Sequence, residues 1–414
     1  MSERAFLIAV LSGPSREGEG GDPLAELKEL LKTAGAEYAG EMTQRRDHPV
    51  APTYLGKGKL AELKQEIGRL KPDLVIVEDE LTPTQNRNLE DYLGLRVIDR
   101  AALILDIFAQ HAHSAEGKLQ VELAQLEFNL TRMRGKGIEL SRLGGGIGTR
   151  GPGETKLEVD QRVARKRITS LKQRLKAVSS SREVMRRSRL ASRLPLIALA
   201  GYTNTGKSTL LNALTAANTS VNDRLFETLD PTTRAYEFEN QTFLLTDTVG
   251  FIRKLPHQLV EAFHSTLEET LVAHLILHVA DASMPDEELE ATIKAVEAVM
   301  EEIEALSIPR LMVLNKIDLI DADQEAFLRR TYPEAVFVSA RTGQGLNELQ
   351  VRVKGFFDAL LVRVELFFPY GDGRAIGEIY KVGADVDLEN TPEGVIVRAR
   401  LPQEYAGRFA RFRR

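Results

Sequence analysis

The eight residues GYTNTGKS, Gly201 to Ser208, constrain this chain more than any other stretch. They follow the apolar run LPLIALA and open the pattern STLLNALT, so a buried strand turns sharply into a helix between two glycines. This matches a phosphate-binding loop, G-x-x-x-x-G-K-S/T. In such a loop backbone amides cradle phosphate oxygens, Lys207 reaches the terminal phosphates and the Ser208 hydroxyl is placed to ligate Mg2+. Tyr202, Thr203, Asn204 and Thr205 complete it. Further buried-strand runs, TFLLTDTVG, LILHVADAS, PRLMVLNKID and AVFVSA, alternate with helical patterns up to about residue 360. Residues 195–360 are therefore expected to build a P-loop domain on a mostly parallel sheet.

Three further motifs end strands in the order such a domain requires. Asp247-Thr248-Val249-Gly250 places a carboxylate where it can hold magnesium through water and a glycine amide where it can meet a γ-phosphate. Asn315-Lys316-Ile317-Asp318 offers a carboxylate that accepts two hydrogen bonds from guanine's ring N–H and exocyclic amine, which adenine cannot donate as a pair. Ser339-Ala340-Arg341 fits a loop over the same base. Phe226-Glu227-Thr228-Leu229-Asp230, continuing into Pro-Thr232-Thr233, lies where a first switch belongs, and spacing leaves all three threonines open as the magnesium ligand. Phe251 follows Gly250 where many hydrolysing switches carry a water-orienting glutamine. A phenyl ring cannot orient water, so intrinsic GTP hydrolysis is expected to be slow, with the missing group supplied by a partner or a cation. Asn204 is the candidate ligand for K+ in that role, and no catalytic side chain is otherwise assigned.

The rest of the chain reads as three modules. Residues 1–105 alternate short apolar runs with helical patterns, the mark of a small α/β domain. In residues 106–194, Leu119, Leu123, Leu126, Leu130 and Met133 form one heptad stripe and Ala164, Ile168, Leu171, Leu175 and Val178 a second. Two long antiparallel helices are expected, carrying at their tip a loop, 135–153, with eight glycines in 19 residues. The net charge of −5 hides +13 across 131–193 against −18 elsewhere. A basic block in an acidic protein is an electrostatic address for polyphosphate, above all RNA, and the plainer reading is a solvated helix face. Residues 361–414 suggest a small α+β domain with a basic end.

Other classes fall away. The chain has no cysteine, so disulfide frameworks and thiolate metal sites are excluded. No run of about 18 apolar residues supports a membrane span, and the N-terminal apolar run is too short for a signal sequence. The expectation is a cytoplasmic protein. Gly56-Lys57-Gly58-Lys59 reads as a basic helix start, and His111, His113, His274 and His278 lack carboxylates at ligand spacing.

With these motifs placed, the chain resembles the HflX family of ribosome-associated GTPases over nearly its full length. The resemblance rests on PTYLGKGKLAEL, LSRLGGGIGTRGPGETKLEVDQR, GYTNTGKSTLLNAL, FETLDPTTR and DTVGFIRKLPHQLVEAFHSTLEE. Thr205 stands where relatives often have alanine. The resemblance implies that Thr228 is the first-switch magnesium ligand. It also implies that the partner is the large (50S) ribosomal subunit with its rRNA, not DNA or an integral membrane. The glycine-rich loop, with Arg142, Gly144, Gly145, Gly146, Arg150 and Lys156, would then reach toward the peptidyl-transferase centre. The resulting expectation is a monomeric factor that splits stalled ribosomes in its GTP state and leaves after hydrolysis to GDP. The competing readings are a GTPase of ribosome assembly or RNA remodelling and a passive RNA-binding protein.

Overall fold

In the computed structural model, the residues described are all except 1, 13–21, 134–155, 193, 216–224, 227–231, 240, 249, 254–269 and 371–372. The N-terminal part runs β1 (Arg4–Leu11), α1 (Ala25–Thr33), β2 (Glu37–Arg45), α2 (Lys57–Leu70), β3 (Leu74–Val77), α3 (Pro83–Leu93), β4 (Arg96–Asp99) and α4 (Arg100–His111). Its four strands pair in parallel in the order β2-β1-β3-β4. The alternating pattern folds this way because the middle strands are apolar on both sides, and helices cover both faces. Gly56 is the N-cap of α2, so the basic Gly56–Lys59 stretch starts a helix as expected. At the end of β4 the chain enters α4 without a loop. Asp99 caps that helix, its side chain accepting the Ala102 amide at 3.0 Å.

Two long helices follow, α5 (Ala115–Met133) and α6 (Lys156–Ser192). Leu119, Leu123 and Leu171 are buried in their seam, flanked by Leu126, Ile168, Leu175 and Val178. Ion pairs Arg167–Glu122 (2.7 Å) and Lys172–Glu127 (2.8 Å) cross it. The opposite side of α5 is apolar too: Val121, Ala124 and Phe128 are buried against α4 and the N-terminal core. The boundary drawn at 105/106 falls inside α4, whose Ile107 and Phe108 also belong to that core. The glycine-rich tip at 135–153 lies outside the described residues, apart from the helix ends that flank it.

The central part comprises β5 (Leu196–Gly201), α7 (Lys207–Thr215), β6 (Thr232–Phe238), β7 (Gln241–Asp247), β8 (Leu275–Asp281), α8 (Asp286–Glu302), β9 (Arg310–Asn315), α9 (Ala322–Thr331), β10 (Val336–Phe337) and α10 (Leu346–Ala359). The sheet order is β10-β9-β8-β5-β7-β6, parallel except for β6 on β7. The functional loops therefore gather at the carboxyl ends of β5, β7, β8 and β9, where open α/β sheets bind ligands. The C-terminal part is an antiparallel sheet ordered β11-β13-β12, made of β11 (Leu361–Pro369), β12 (Ala384–Thr391) and β13 (Gly394–Pro402). Helices α11 (Gly373–Val382) and α12 (Gln403–Arg408) supply side chains to the core on one face.

The N-terminal and central parts share one apolar core. Leu27, Phe108 and Ala124 join Tyr202, Phe226, Phe251 and Ile252 in it. Phe108 and Phe226 meet edge to face with ring centroids 4.6 Å apart, a pairing worth about 0.5–1.5 kcal/mol beyond the area it buries.

Candidate nucleotide site

The loop 202–206 runs between β5 and α7 under tight steric control. A Cβ on Gly201 would lie 2.2 Å from the Val279 carbonyl oxygen. One on Gly206, at φ +86°, would lie 2.4 Å from Asn315 Nδ2. Both positions therefore demand glycine. Asn204 is left-handed at φ 60°. Thr205 donates its hydroxyl to the Tyr202 carbonyl at 3.0 Å, a bond that alanine could not make.

Lys207 begins α7 fully enclosed, and its Nζ donates to the carbonyls of Gly201 (3.0 Å) and Tyr202 (2.6 Å). Burial pushes its pKa down to about 8, against the opposing pull of Asp247. Ser208 donates its hydroxyl to Asp247 Oδ2 at 2.6 Å. Thr248 donates to the Leu199 carbonyl at 2.7 Å, fixing the exit of β7. At Gly250 an added Cβ would sit 3.0 Å from Thr203 Cγ2 and 3.2 Å from Lys207 Nζ, so its backbone approaches the lysine closely. Phe251 is buried; its carbonyl accepts the Thr203 amide (2.7 Å) and its own amide donates to the Gly201 carbonyl (3.1 Å). It is thus stitched to the phosphate loop as backbone.

The segments expected to read the base are tied to the same loop. Asn315 Nδ2 donates to the Thr205 carbonyl at 2.8 Å, and its Oδ1 accepts the Ala340 amide at 3.0 Å. The Ser339 hydroxyl donates to Asp318 Oδ1 at 2.6 Å, orienting an otherwise exposed carboxylate. Lys316 at φ 66° bonds Asp281 at 2.7 Å. Ile317 is buried beneath and Arg341 exposed. Asp281 escaped the sequence reading, although its place at the end of β8 put it beside Asn315. Glu227, Thr228, Leu229, Asp230 and Val249, with Arg142, Gly144, Gly145, Gly146 and Arg150, lie outside the described residues. Lys156 is the first residue of α6. Phe226 faces the N-terminal core, where its ring packs on Phe108. His278 is buried within β8, which drives its pKa down to about 4, and His274 Nδ1 accepts the Leu196 amide at 3.0 Å, so both serve the sheet.

A phosphate loop, the strand end at Asp247–Phe251 and an asparagine at the end of β9, joined by direct hydrogen bonds on a mostly parallel sheet, define a P-loop GTPase. Residues 196–316 match the family described as 50S ribosome-binding GTPase, residues 21–109 that described as GTP-binding GTPase N-terminal, and residues 111–189 the GTP-binding GTPase Middle Region. The chain is 47% identical over 411 residues to the GTPase HflX of Caldanaerobacter subterraneus subsp. tengcongensis, covering 99% of this chain and 94% of that protein. To the GTPase HflX of Escherichia coli K12 it is 42% identical over 410 residues, covering 97% and 94%. A crystal structure of SsGBP with GDP aligns over 86% of this chain and 98% of that one, at 26% identity and TM-score 0.45. The chain belongs to the HflX family of GTPases, and it hydrolyses GTP. Among the described residues no helix is long and apolar enough to cross a membrane.

Proposed function

We propose that this GTPase docks on the large ribosomal subunit through its helical hairpin and, with GTP bound, splits stalled ribosomes into subunits, hydrolysis releasing it. The observation that carries the reading is the join between a phosphate loop tied to Asn315 and Asp247 and a basic arm. On α6, Arg165, Lys166, Arg167, Lys172, Arg174 and Lys176 are all exposed, suiting a groove lined with RNA phosphate. The work of splitting comes from tighter binding of the GTP state to the separated subunit than to the joined particle. The loop residues Arg142, Gly144, Gly145, Gly146 and Arg150 and the helix-start Lys156 are proposed RNA contacts, because backbone without side chains threads where bulk cannot.

The Ser208–Asp247 pair fits magnesium: two hard oxygen donors meet at the start of α7. Ser208 and Thr228 would hold the ion, which supplies charge neutralisation for the phosphates. Lys207 stabilises the terminal phosphates, the Gly250 amide meets the γ-phosphate, and Asp318 selects guanine. Phe251 has no group to orient the attacking water, so ribosomal contact, or K+ held near Asn204, would supply the acceleration. Equal turnover in sodium and potassium buffers would remove the cation.

Light scattering of intact ribosomes tests the central reading. GTP, or its non-hydrolysable analogue, should lower the signal with this protein present and GDP should not. A signal that stays constant while GTP turnover still rises on adding large subunits would favour an assembly factor instead.

A further inference from the structure

Two adjacent residues where β4 meets α4 hold two different parts of the molecule. Asp99 is completely buried. One of its oxygens caps α4, and the other accepts the Leu81 amide at 3.0 Å and pairs with the guanidinium of Arg132. Arg132 lies in the last turn of α5, stacked 4.2 Å over the Phe128 ring, immediately before the glycine-rich tip of the hairpin.

Arg100 reaches the other way. It is also buried: its Nη1 bonds both Glu78 oxygens at 3.0 Å, and its Nη2 bonds Glu26 at 2.9 Å and the Arg253 carbonyl at 3.3 Å. Glu26 additionally pairs with the Arg253 guanidinium at 3.3 Å and accepts the Tyr202 hydroxyl. That hydroxyl in turn accepts the Arg253 amide at 2.8 Å. Tyr202 belongs to the phosphate loop and Arg253 follows Gly250 by three residues. The nucleotide site thus meets the N-terminal sheet at a cluster of two arginines and two glutamates.

We propose that Asp99 and Arg100 form a two-sided joint coupling the nucleotide state to the base of the hairpin, with Arg100 and Arg132 as positioning residues. The inference deepens the docking reading, since it says how the arm learns which nucleotide is bound. Its physical basis is rigidity. Asp99 caps the helix that Arg100 begins, so the two move as one. A γ-phosphate that draws Gly250 inward shifts Arg253, and the cluster must then carry Arg100 along or break. The Arg253 guanidinium is half-exposed, so its firm ties are made by its backbone: its amide donates to the Tyr202 hydroxyl and its carbonyl accepts from the buried Arg100, where a broken bond would leave a buried N–H unpaired, so carrying is cheaper than breaking. Whatever moves Arg100 moves Asp99 and its grip on Arg132.

Coupling between sites is reciprocal in binding free energy. Loosening Arg132, whose contacts with Asp99 and Phe128 lie outside the nucleotide site, must therefore alter the preference between nucleotides. The test uses the full chain without ribosomes, so its failure is distinct from failure of the docking reading. Dissociation constants for GDP and a non-hydrolysable GTP analogue are measured for the wild type, Arg132→Ala and Arg132→Lys, with hydrogen exchange of residues 115–133 followed in both states. Expected is a change of about fivefold or more in the affinity ratio for Arg132→Ala, largely restored by Arg132→Lys. The wild-type exchange difference between nucleotides should disappear in Glu26→Gln. A ratio unchanged in a folded Arg132→Ala would overturn the joint, as would wild-type exchange over 115–133 that is identical with the two nucleotides. The second criterion holds even if the variants fail to fold.

Discussion

Arg100 and Arg398 make the same contact in opposite surroundings. Each guanidinium bridges two glutamates: Arg100 joins Glu26 and Glu78 between the N-terminal sheet and the nucleotide site, and Arg398 joins Glu365 and Glu389 across the C-terminal sheet. The Arg100 side chain is 2% exposed and the Arg398 side chain 48%. Ion-pair chemistry is held nearly constant between them while the solvent changes. The buried cluster fixes where two domains sit because each of its charges depends on the others being in place. The surface ladder is interchangeable with water and salt.

Removing the buried arginine should therefore have the largest effect. Arg100→Ala takes from Glu26 and Glu78, both largely buried, the guanidinium they share, with Glu26 keeping Arg253, and a cost of about 3–5 kcal/mol is expected in denaturant unfolding. A loss below about 1 kcal/mol would mean that water enters the cluster and would erase its contrast with the surface pair.

Asp318 sharpens the comparison, because it is an exposed charge that should nevertheless matter. Its proposed task is recognition: Ser339 holds the carboxylate in place, and guanine's two N–H groups would meet it there. Asp318→Asn should weaken GDP binding by about a hundredfold, through one lost charged acceptor and one opposed donor, while leaving the melting temperature unchanged. Xanthine nucleotides, which present an acceptor in place of the amine, should gain in relative affinity. Competition titration of the two diphosphates measures both.

Much of the nucleotide site was legible in the sequence, whereas the cluster was not. Gly201, Gly206, Lys207 and Ser208 stand within eight residues, and a strand-to-helix turn of that spacing has few physical solutions. Glu26, Glu78, Arg100, Tyr202 and Arg253 each sit in ordinary local surroundings, and only the fold brings them together. Tyr202 read as one residue of the phosphate loop, yet its hydroxyl joins Glu26 to the Arg253 amide. The heptad stripe on α5 announced its seam with α6. The second apolar side, Val121, Ala124 and Phe128, was hidden because such residues also suit an exposed helix face interrupted by Gln125 and Glu127. Phe226 read as part of a nucleotide loop because its sequence neighbours are, while its ring is spent on Phe108.

Lys207 is a buried cation of a third kind, satisfied by carbonyls and awaiting phosphate. Its pKa near 8 in the folded chain lies below the ordinary 10.5, so between those values the unfolded chain binds more protons and the stability without nucleotide rises with pH. Phosphate binding requires the charged form. Affinity for GDP should thus be level below pH 8 and fall by about tenfold per pH unit above it. Titrations at a series of pH values that stay level up to pH 10 would show that the lysine keeps its proton, making its burial as well compensated as that of Arg100.

The smallest effect is expected at Arg398, and it is the control on which the comparison depends. Arg398→Ala removes two short pairs, 3.1 Å to Glu365 and 2.8 Å to Glu389, from a solvated sheet face. Each glutamate then returns to water at little cost, because it was never fully withdrawn from it. The buried face beneath, with Leu366, Val397 and Phe368, is untouched. The melting temperature should stay within measurement error, and raising the salt concentration should not separate the variant from the wild type. A clear drop would mean that geometry outweighs exposure in this ladder. Burial would then no longer explain why Arg100 is decisive, and the rigidity of the Asp99–Arg100 junction itself would have to carry the explanation.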